Sequence, residues 1–204
     1  VSLSYEKRRV DVVLFHGFEL LDVFGPLELY GKLLERFEIS LVGPERGPVR
    51  SAQGPDVLAY AGYSEARLPD IVLVPGGIGT RNLVLDQSFL DWLRAWAKDA
   101  TILSSVCTGS GLIAAAGLLD GYQATSNKRA FDWAVQQGPH VSWVRQARWT
   151  HDGSRWTSSG VAAGVDMTLA IIASICGQDT AEQLAVMVEY EWHRDPHWDP
   201  FAFT

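Results

Sequence analysis

Cysteine is nearly absent: the 204-residue chain holds two, Cys107 and Cys176. Two thiols do not build the disulfide framework of a small secreted domain. The expected setting is a reducing, cytoplasmic one, with Cys107 a free thiol. Long hydrophobic runs are missing too, and none approaches the roughly 20 residues a membrane-spanning helix needs, so no membrane partner is expected. Basic residues are in deficit, 17 Lys and Arg against 24 Asp and Glu, for a formal net charge of −7. Nucleic acid and anionic lipid require clustered cations. The one short cluster, Lys7-Arg8-Arg9 behind Glu6, reads as the solvated entry to a first strand, so nucleic-acid binding is not expected. The opening Val-Ser-Leu-Ser-Tyr-Glu has neither the basic nor the apolar region of a signal peptide. No linker or low-complexity stretch interrupts the chain, and residues 1–204 read as one domain.

What is present is an alternation of short apolar strands and amphipathic helices. VDVVLF (10–15), 37–42, IVLV (71–74) and 101–106 have the Val- and Ile-rich pattern of buried strands. Between and after them, 20–34, 89–98 and 108–116 have helical spacing, with Pro26 placed in the first turn of a helix beginning near Gly25. Residues 48–60 read as a hairpin or small excursion. Farther on, 122–126 and 141–144 read as extended and 128–137 as helical. Residues 147–158 read as a hairpin turning at Asp152-Gly153, and 161–176 and 180–192 as two closing helices. Such alternation implies a mostly parallel sheet covered on both faces, whose ligands meet the carboxyl ends of the strands.

Three sharp breaks follow strands: His16-Gly17, Pro75-Gly76-Gly77-Ile78 and Cys107. If those strands are parallel neighbours, all three breaks share one edge. Around Cys107, Ser105 and Gly109 occupy the two small-residue places of a nucleophile elbow. Such a turn lifts the sulfur to the sheet's rim and sets it at a helix start, where both effects are expected to lower the thiol pKa. The N–H of Thr108, facing that of Gly77 or Ile78, would make an oxyanion hole. The alternative is a small buried hydrophobe. Asp22, in the apolar stretch LLDVFGP, is expected to have a raised pKa and to serve as general acid/base; the alternative is a helix N-cap.

LLDVFGP (20–26), VPGGIGT (74–80), SVCTGSGLIAAAGLLDG (105–121), SSGVAAGVDMTLAI (158–171) and DPHWDPFA (195–202) together resemble the DJ-1/PfpI superfamily, nearest its isonitrile hydratase-like branch. The resemblance implies an α/β fold: a flavodoxin-like three-layer sandwich with a mostly parallel sheet and a nucleophile elbow. It also implies a homodimer, no cofactor, and a small-molecule electrophile as substrate. Carried over, Cys107 is the nucleophile, Asp22 the acid/base, and Thr108 a holding residue through its hydroxyl and N–H. Gly76, Gly77 and Ile78 sit at the oxyanion pocket, and Val161 follows the turn that walls the thiol. Two departures bear on the reaction. Peptidases of this superfamily have His directly after the Cys, where this chain has Thr108. Several relatives have a His where this chain has Asn127.

The implied reaction is hydration of an isonitrile to an N-substituted formamide. The alternatives are a glyoxalase-like detoxifying enzyme, a non-enzymatic cysteine redox or stress sensor, and a ligand-binding module like those fused to regulators. Other residues carry less. No metal site is expected, because Pro196 lies between His193 and His197. Gly76-Gly77-Ile78-Gly79 completes no nucleotide fingerprint. Cys176, Trp92 and Trp96 read as core or interface, His16 and His151 as turn residues, and Trp192, Trp198 and Phe201 as docking the tail.

Overall fold

The computed structural model describes residues 7–203; residues 1–6, which carry the signal-peptide reading and Glu6, and residue 204 lie outside the described residues. In chain order the elements are β1 (Arg8–Val13), α1 (Leu20–Gly31), β2 (Phe37–Gly43), β3 (Gly47–Arg50), β4 (Asp56–Ala59), β5 (Ala61–Gly62) and β6 (Ile71–Val74). Then follow α2 (Thr80–Leu83), α3 (Gln87–Ala97), β7 (Ile102–Ser105), α4 (Gly109–Ala115), β8 (Gln123–Ala124), α5 (Phe131–Gln137) and β9 (Ser142–Trp143). The chain closes with β10 (Trp149–Asp152), β11 (Arg155–Ser158), α6 (Ala163–Cys176) and α7 (Gln178–Met187).

Seven strands form one sheet in the order β10-β11-β7-β6-β1-β2-β5. Every neighbouring pair is parallel except β10 with β11. α1, α6 and α7 pack together as one layer, and α2 to α5 as another. β6 and β7 are buried at every residue, as strands covered on both faces must be. The excursion at 48–60 is the antiparallel hairpin β3–β4, and β8 and β9 form a small parallel pair.

The central order β7-β6-β1 carries the functional consequence. These three strands are parallel neighbours, with Val12 beside Leu73 and Val74 beside Ser105. The loops after them therefore leave the sheet side by side.

Of the helix boundaries that differ from expectation, two have structural consequences. α1 begins at Leu20, so Pro26 lies in its interior rather than its first turn. Lacking an N–H, Pro26 leaves the Asp22 carbonyl without its helical partner. Gly25 lets this segment press against α6, for a Cβ there would come 2.9 Å from Val165 Cγ2. α7 ends at Met187, short of Trp192. Glu189 turns left-handed at φ 52°. The N–H of Tyr190 then bonds the Ala185 carbonyl at 2.9 Å and that of Glu189 bonds the Val186 carbonyl at 3.1 Å, which is a Schellman cap.

Candidate active site

Cys107 stands between β7 and α4 with φ 60°, the left-handed region that a side chain rarely enters. That conformation costs roughly 1–2 kcal/mol for an L-residue. Its peptide groups are held on both sides. The N–H donates to the Ser159 carbonyl at 3.0 Å, and the carbonyl accepts the hydroxyls of Ser110 at 3.1 Å and Ser126 at 3.0 Å. Three such bonds, each worth about 1 kcal/mol net, are enough to hold the turn. Small neighbours make it fit: a Cβ on Gly109 would run into the Val74 carbonyl oxygen, and one on Gly76 would come 2.8 Å from Cys107 Cβ.

Asp22 lies in the first turn of α1, wholly buried. Glu19 occupies the N-cap position, so the capping alternative for Asp22 does not hold. Its Oδ2 accepts the Gly76 N–H at 2.8 Å, which ties the first loop to the second. Its Oδ1 is buried and, among the described residues, has no partner in hydrogen-bonding geometry, although the Cys107 thiol is near enough to lower the Asp22 pKa slightly. Burial dominates and pushes the carboxyl up to about 7, with the Gly76 N–H opposing and the Glu19 charge adding. That is where a proton carrier working at neutral pH belongs.

The sulfur departs from expectation. Cys107 is 7% exposed, and burial, reinforced by the Asp22 charge, pushes its pKa up to about 12. The N–H groups of Thr108 and Val161 and the side-chain amide of Asn127 act in the opposite direction and are outweighed. The helix start does not win because desolvation of a small anion exceeds the pull of a few dipoles. Burial thus favours the thiol over the thiolate at rest.

Thr108 does its holding through Oγ1, which accepts the Gly77 N–H at 3.0 Å and the Thr80 hydroxyl at 3.3 Å. The Gly76 and Gly77 N–H groups are thus committed to Asp22 and Thr108. The donors that reach the sulfur are those of Thr108, Val161 and Asn127 instead. Val161, itself left-handed at φ 39°, stands just before α6. Ile78 is 68% exposed and packs near Gly17, where a Cβ would come 3.2 Å from its Cγ2. Asn127 was visible in sequence only as a missing histidine; its amide is a donor to the sulfur. The hydroxyls of Ser110, Ser126 and Thr80 carried no signal of their own, because each acts through a contact made by the folded chain.

The remaining residues lie elsewhere. His16 Nδ1 accepts the Arg50 N–H at 3.3 Å and lines a cavity of about 580 Å³ walled by Phe15, Tyr63, Phe89 and Trp92. Trp92 and Trp96 stack at 4.9 Å, with their indole N–H groups on the carbonyls of Tyr63 and Arg67. Cys176 is half-buried at the end of α6. His151 stacks on Trp156 at 3.8 Å. Trp192 Nε1 bonds the Asp166 carbonyl at 3.2 Å, while Trp198 and Phe201 are exposed. Among the described residues, no group of three His, Cys, Asp or Glu could hold a metal ion, and no helix is long and apolar enough to cross a membrane.

Comparison with known proteins agrees with this architecture. The chain is 32% identical over 182 residues to an isonitrile hydratase of Pseudomonas putida, covering 89% of this chain and 78% of that one. It is 30% identical over 190 residues to an HTH-type transcriptional regulator of Pseudomonas aeruginosa, spanning 89% of this chain but 50% of the regulator. Among solved structures, a THiJ/PfpI family protein from Pseudomonas syringae superposes with a TM-score of 0.84 at 30% identity, covering 93% of this chain and 78% of that one. Drosophila melanogaster DJ-1beta shares the fold at 19% identity, with a TM-score of 0.79 over 92% of this chain and all of that one. The profile of the DJ-1/PfpI family matches residues 8–174, and the chain belongs to that family.

Proposed function

We propose that the chain hydrates an isonitrile to an N-substituted formamide, with Cys107 as nucleophile and Asp22 as acid/base. One observation carries the reading. A buried carboxyl, with one oxygen held by the Gly76 N–H and the other without a partner among the described residues, stands beside a buried thiol on a left-handed elbow, and desolvation pushes its pKa up. The likeness to an isonitrile hydratase supports it.

The terminal carbon of R–N≡C must accept a nucleophile and a proton. Asp22 in its acid form delivers the proton to that carbon as sulfur bonds to it, and the S–H proton passes to the vacated carboxylate. The product is a thioimidate, R–N=CH–S–Cys107. Water then adds through oxygen to the same carbon. Asp22 takes one water proton and returns one to nitrogen. The C–S bond breaks, the hydroxyl proton goes to sulfur, and R–NH–CHO leaves. The sum is R–NC plus water giving R–NH–CHO, with thiol and acid restored and no electron donor or acceptor required. A carboxyl near pH 7 can give and take protons in alternate steps. A thiol neutral at rest develops its charge only as it attacks.

The test is a panel of isonitriles of graded size assayed for formamide. Turnover by the parent and none by Cys107→Ala, with an unchanged circular dichroism spectrum, is the expected result; equal turnover by Cys107→Ala sinks the mechanism.

A sensor role needs a thiolate for peroxide to oxidise, and burial acts against that form. A second reading has one observation behind it, the 30% identity to half of a transcriptional regulator. On that reading the site binds a small molecule without turning it over. Thermal stabilisation by an isonitrile that yields no formamide would favour it.

A further inference from the structure

Asn127 stands in the loop between β8 and α5, at the place where the family resemblance implies a histidine in several relatives. Its Oδ1 accepts the Ala130 N–H at 3.1 Å. That bond orients the amide and turns its NH2 group the other way, toward the Cys107 turn: Ser126, next to Asn127 in the chain, holds the Cys107 carbonyl at 3.0 Å, Ser159, next to Gly160, holds the Cys107 N–H at 3.0 Å, and the amide lowers the thiol pKa. Gly160 leaves the space, since a Cβ there would come 2.6 Å from Nδ2. The adjacent Lys128 does not compete, because its Nζ is bound to Thr125 Oγ1 at 2.8 Å and to the Ala147 carbonyl at 2.5 Å. Asn127 also lines a cavity of about 280 Å³ together with Ser159, Gly160 and Val161.

We propose that Asn127 is a third working side chain of this site: its amide steadies negative charge on the Cys107 sulfur while leaving Asp22 the only proton carrier there. For its place in a reaction this rests on the hydration reading. In that reaction the sulfur carries charge twice, when it gives up its proton and when it leaves the tetrahedral carbon. A charge-assisted hydrogen bond is stronger than a neutral one, so the amide favours both moments over the resting thiol. An imidazole in the same place would also donate, but it titrates near neutrality and is itself a proton carrier. Protons would then have a second route beside Asp22. The charged groups that face the sulfur are Asp22 on α1 and Arg81 on α2, and neither is altered by substitution at 127.

The experiment uses the full chain in a Cys176→Ser background, so that one thiol reports. The rate of alkylation by iodoacetamide is followed against pH. Asn127→Ala should move the midpoint up and slow alkylation at fixed pH about 10-fold, the scale of one hydrogen bond to a charged group. Asn127→Asp keeps the acceptor for the Ala130 N–H and replaces the donor by a negative charge, and should move the midpoint further up. Asn127→His should move it down toward neutrality and make Cys107 sensitive to dilute peroxide. Profiles of folded Asn127→Ala and Asn127→Asp that superimpose on the parent's overturn the proposal. The two claims fail separately. A shifted profile in a chain that forms no formamide leaves Asn127 in place and removes the hydration reading. Formamide formation with an unmoved profile does the reverse.

Discussion

At the scale of single residues, Asp22 is where burial and chemistry meet. Its pKa is raised from an ordinary 3.8 to about 7, chiefly by desolvation. Between those values the native protein holds a proton that the unfolded chain has already released. Linkage then makes this group's contribution favour the native state in acid. That contribution is lost as pH rises toward 7, by a total of about 4 kcal/mol. Asn mimics the neutral acid and cannot ionise. The stability of Asp22→Asn relative to the parent, measured by urea unfolding, should therefore be smallest near pH 4 and grow to about 4 kcal/mol by pH 8. A difference that stays constant across that range would show that the carboxyl ionises as freely in the folded protein as in water. The same variant should lose formamide formation, because an amide carries no transferable proton.

At the scale of elements, two tight turns define what can be changed. Gly76 admits no side chain: a Cβ would come 2.6 Å from the Thr108 nitrogen and 2.8 Å from Cys107 Cβ. Both neighbours are held by the elbow and cannot retreat. Gly76→Ala should cost about 1–3 kcal/mol, the scale of overpacking, and should reduce turnover with it, as thermal unfolding and the formamide assay would register. At the end of α7 the sign is opposite. Glu189 holds a left-handed conformation at φ 52° that glycine adopts without the Cβ clash. Glu189→Gly is expected to stabilise the protein by up to about 1 kcal/mol, less whatever the freer unfolded chain takes back. A clear fall in melting temperature would mean that the Glu189 side chain matters more than its backbone. This boundary also shows the limit of periodicity. The apolar spacing to Trp192 continues past Met187, but the chain leaves the helix to place Tyr190, Trp192 and His193 around Asp166. Tyr190 Oη and the His193 N–H bond Asp166 Oδ1 at 3.0 and 2.8 Å.

At the scale of the whole molecule, Asp166 joins the tail to the body. Its other oxygen takes Arg148 Nε at 2.7 Å in a buried ion pair. Asp166→Ala would strand a buried guanidinium and release the tail, and should cost about 3–5 kcal/mol, measured by denaturant unfolding. A loss below 1 kcal/mol would show that Arg148 and the tail find water or other partners. The homodimer implied by the family resemblance has a concrete expectation as well. Leu21 and Phe24 are exposed on one face of α1, three residues apart and flanking Asp22. Sedimentation should give a species of two chains for the parent and one for Leu21→Arg with Phe24→Arg. A monomeric parent would remove the dimer.

The layered sheet was legible because buried parallel strands must be continuous apolar runs, and because Gly, Pro and turn residues end them. The elbow was legible because only small residues fit beside a left-handed Cys107, and the buried carboxyl because a lone carboxylate stood among Leu, Val and Phe. What lay beyond local pattern was the balance of long-range terms. Whether the helix start or burial governs the thiol depends on how much water reaches Cys107, and no window of sequence contains that quantity. The partners of the Gly76 and Gly77 N–H groups, the three donors on the sulfur and the early stop of α7 were settled by residues that only tertiary packing brings together, because hydrogen bonds and desolvation act through space and not along the chain.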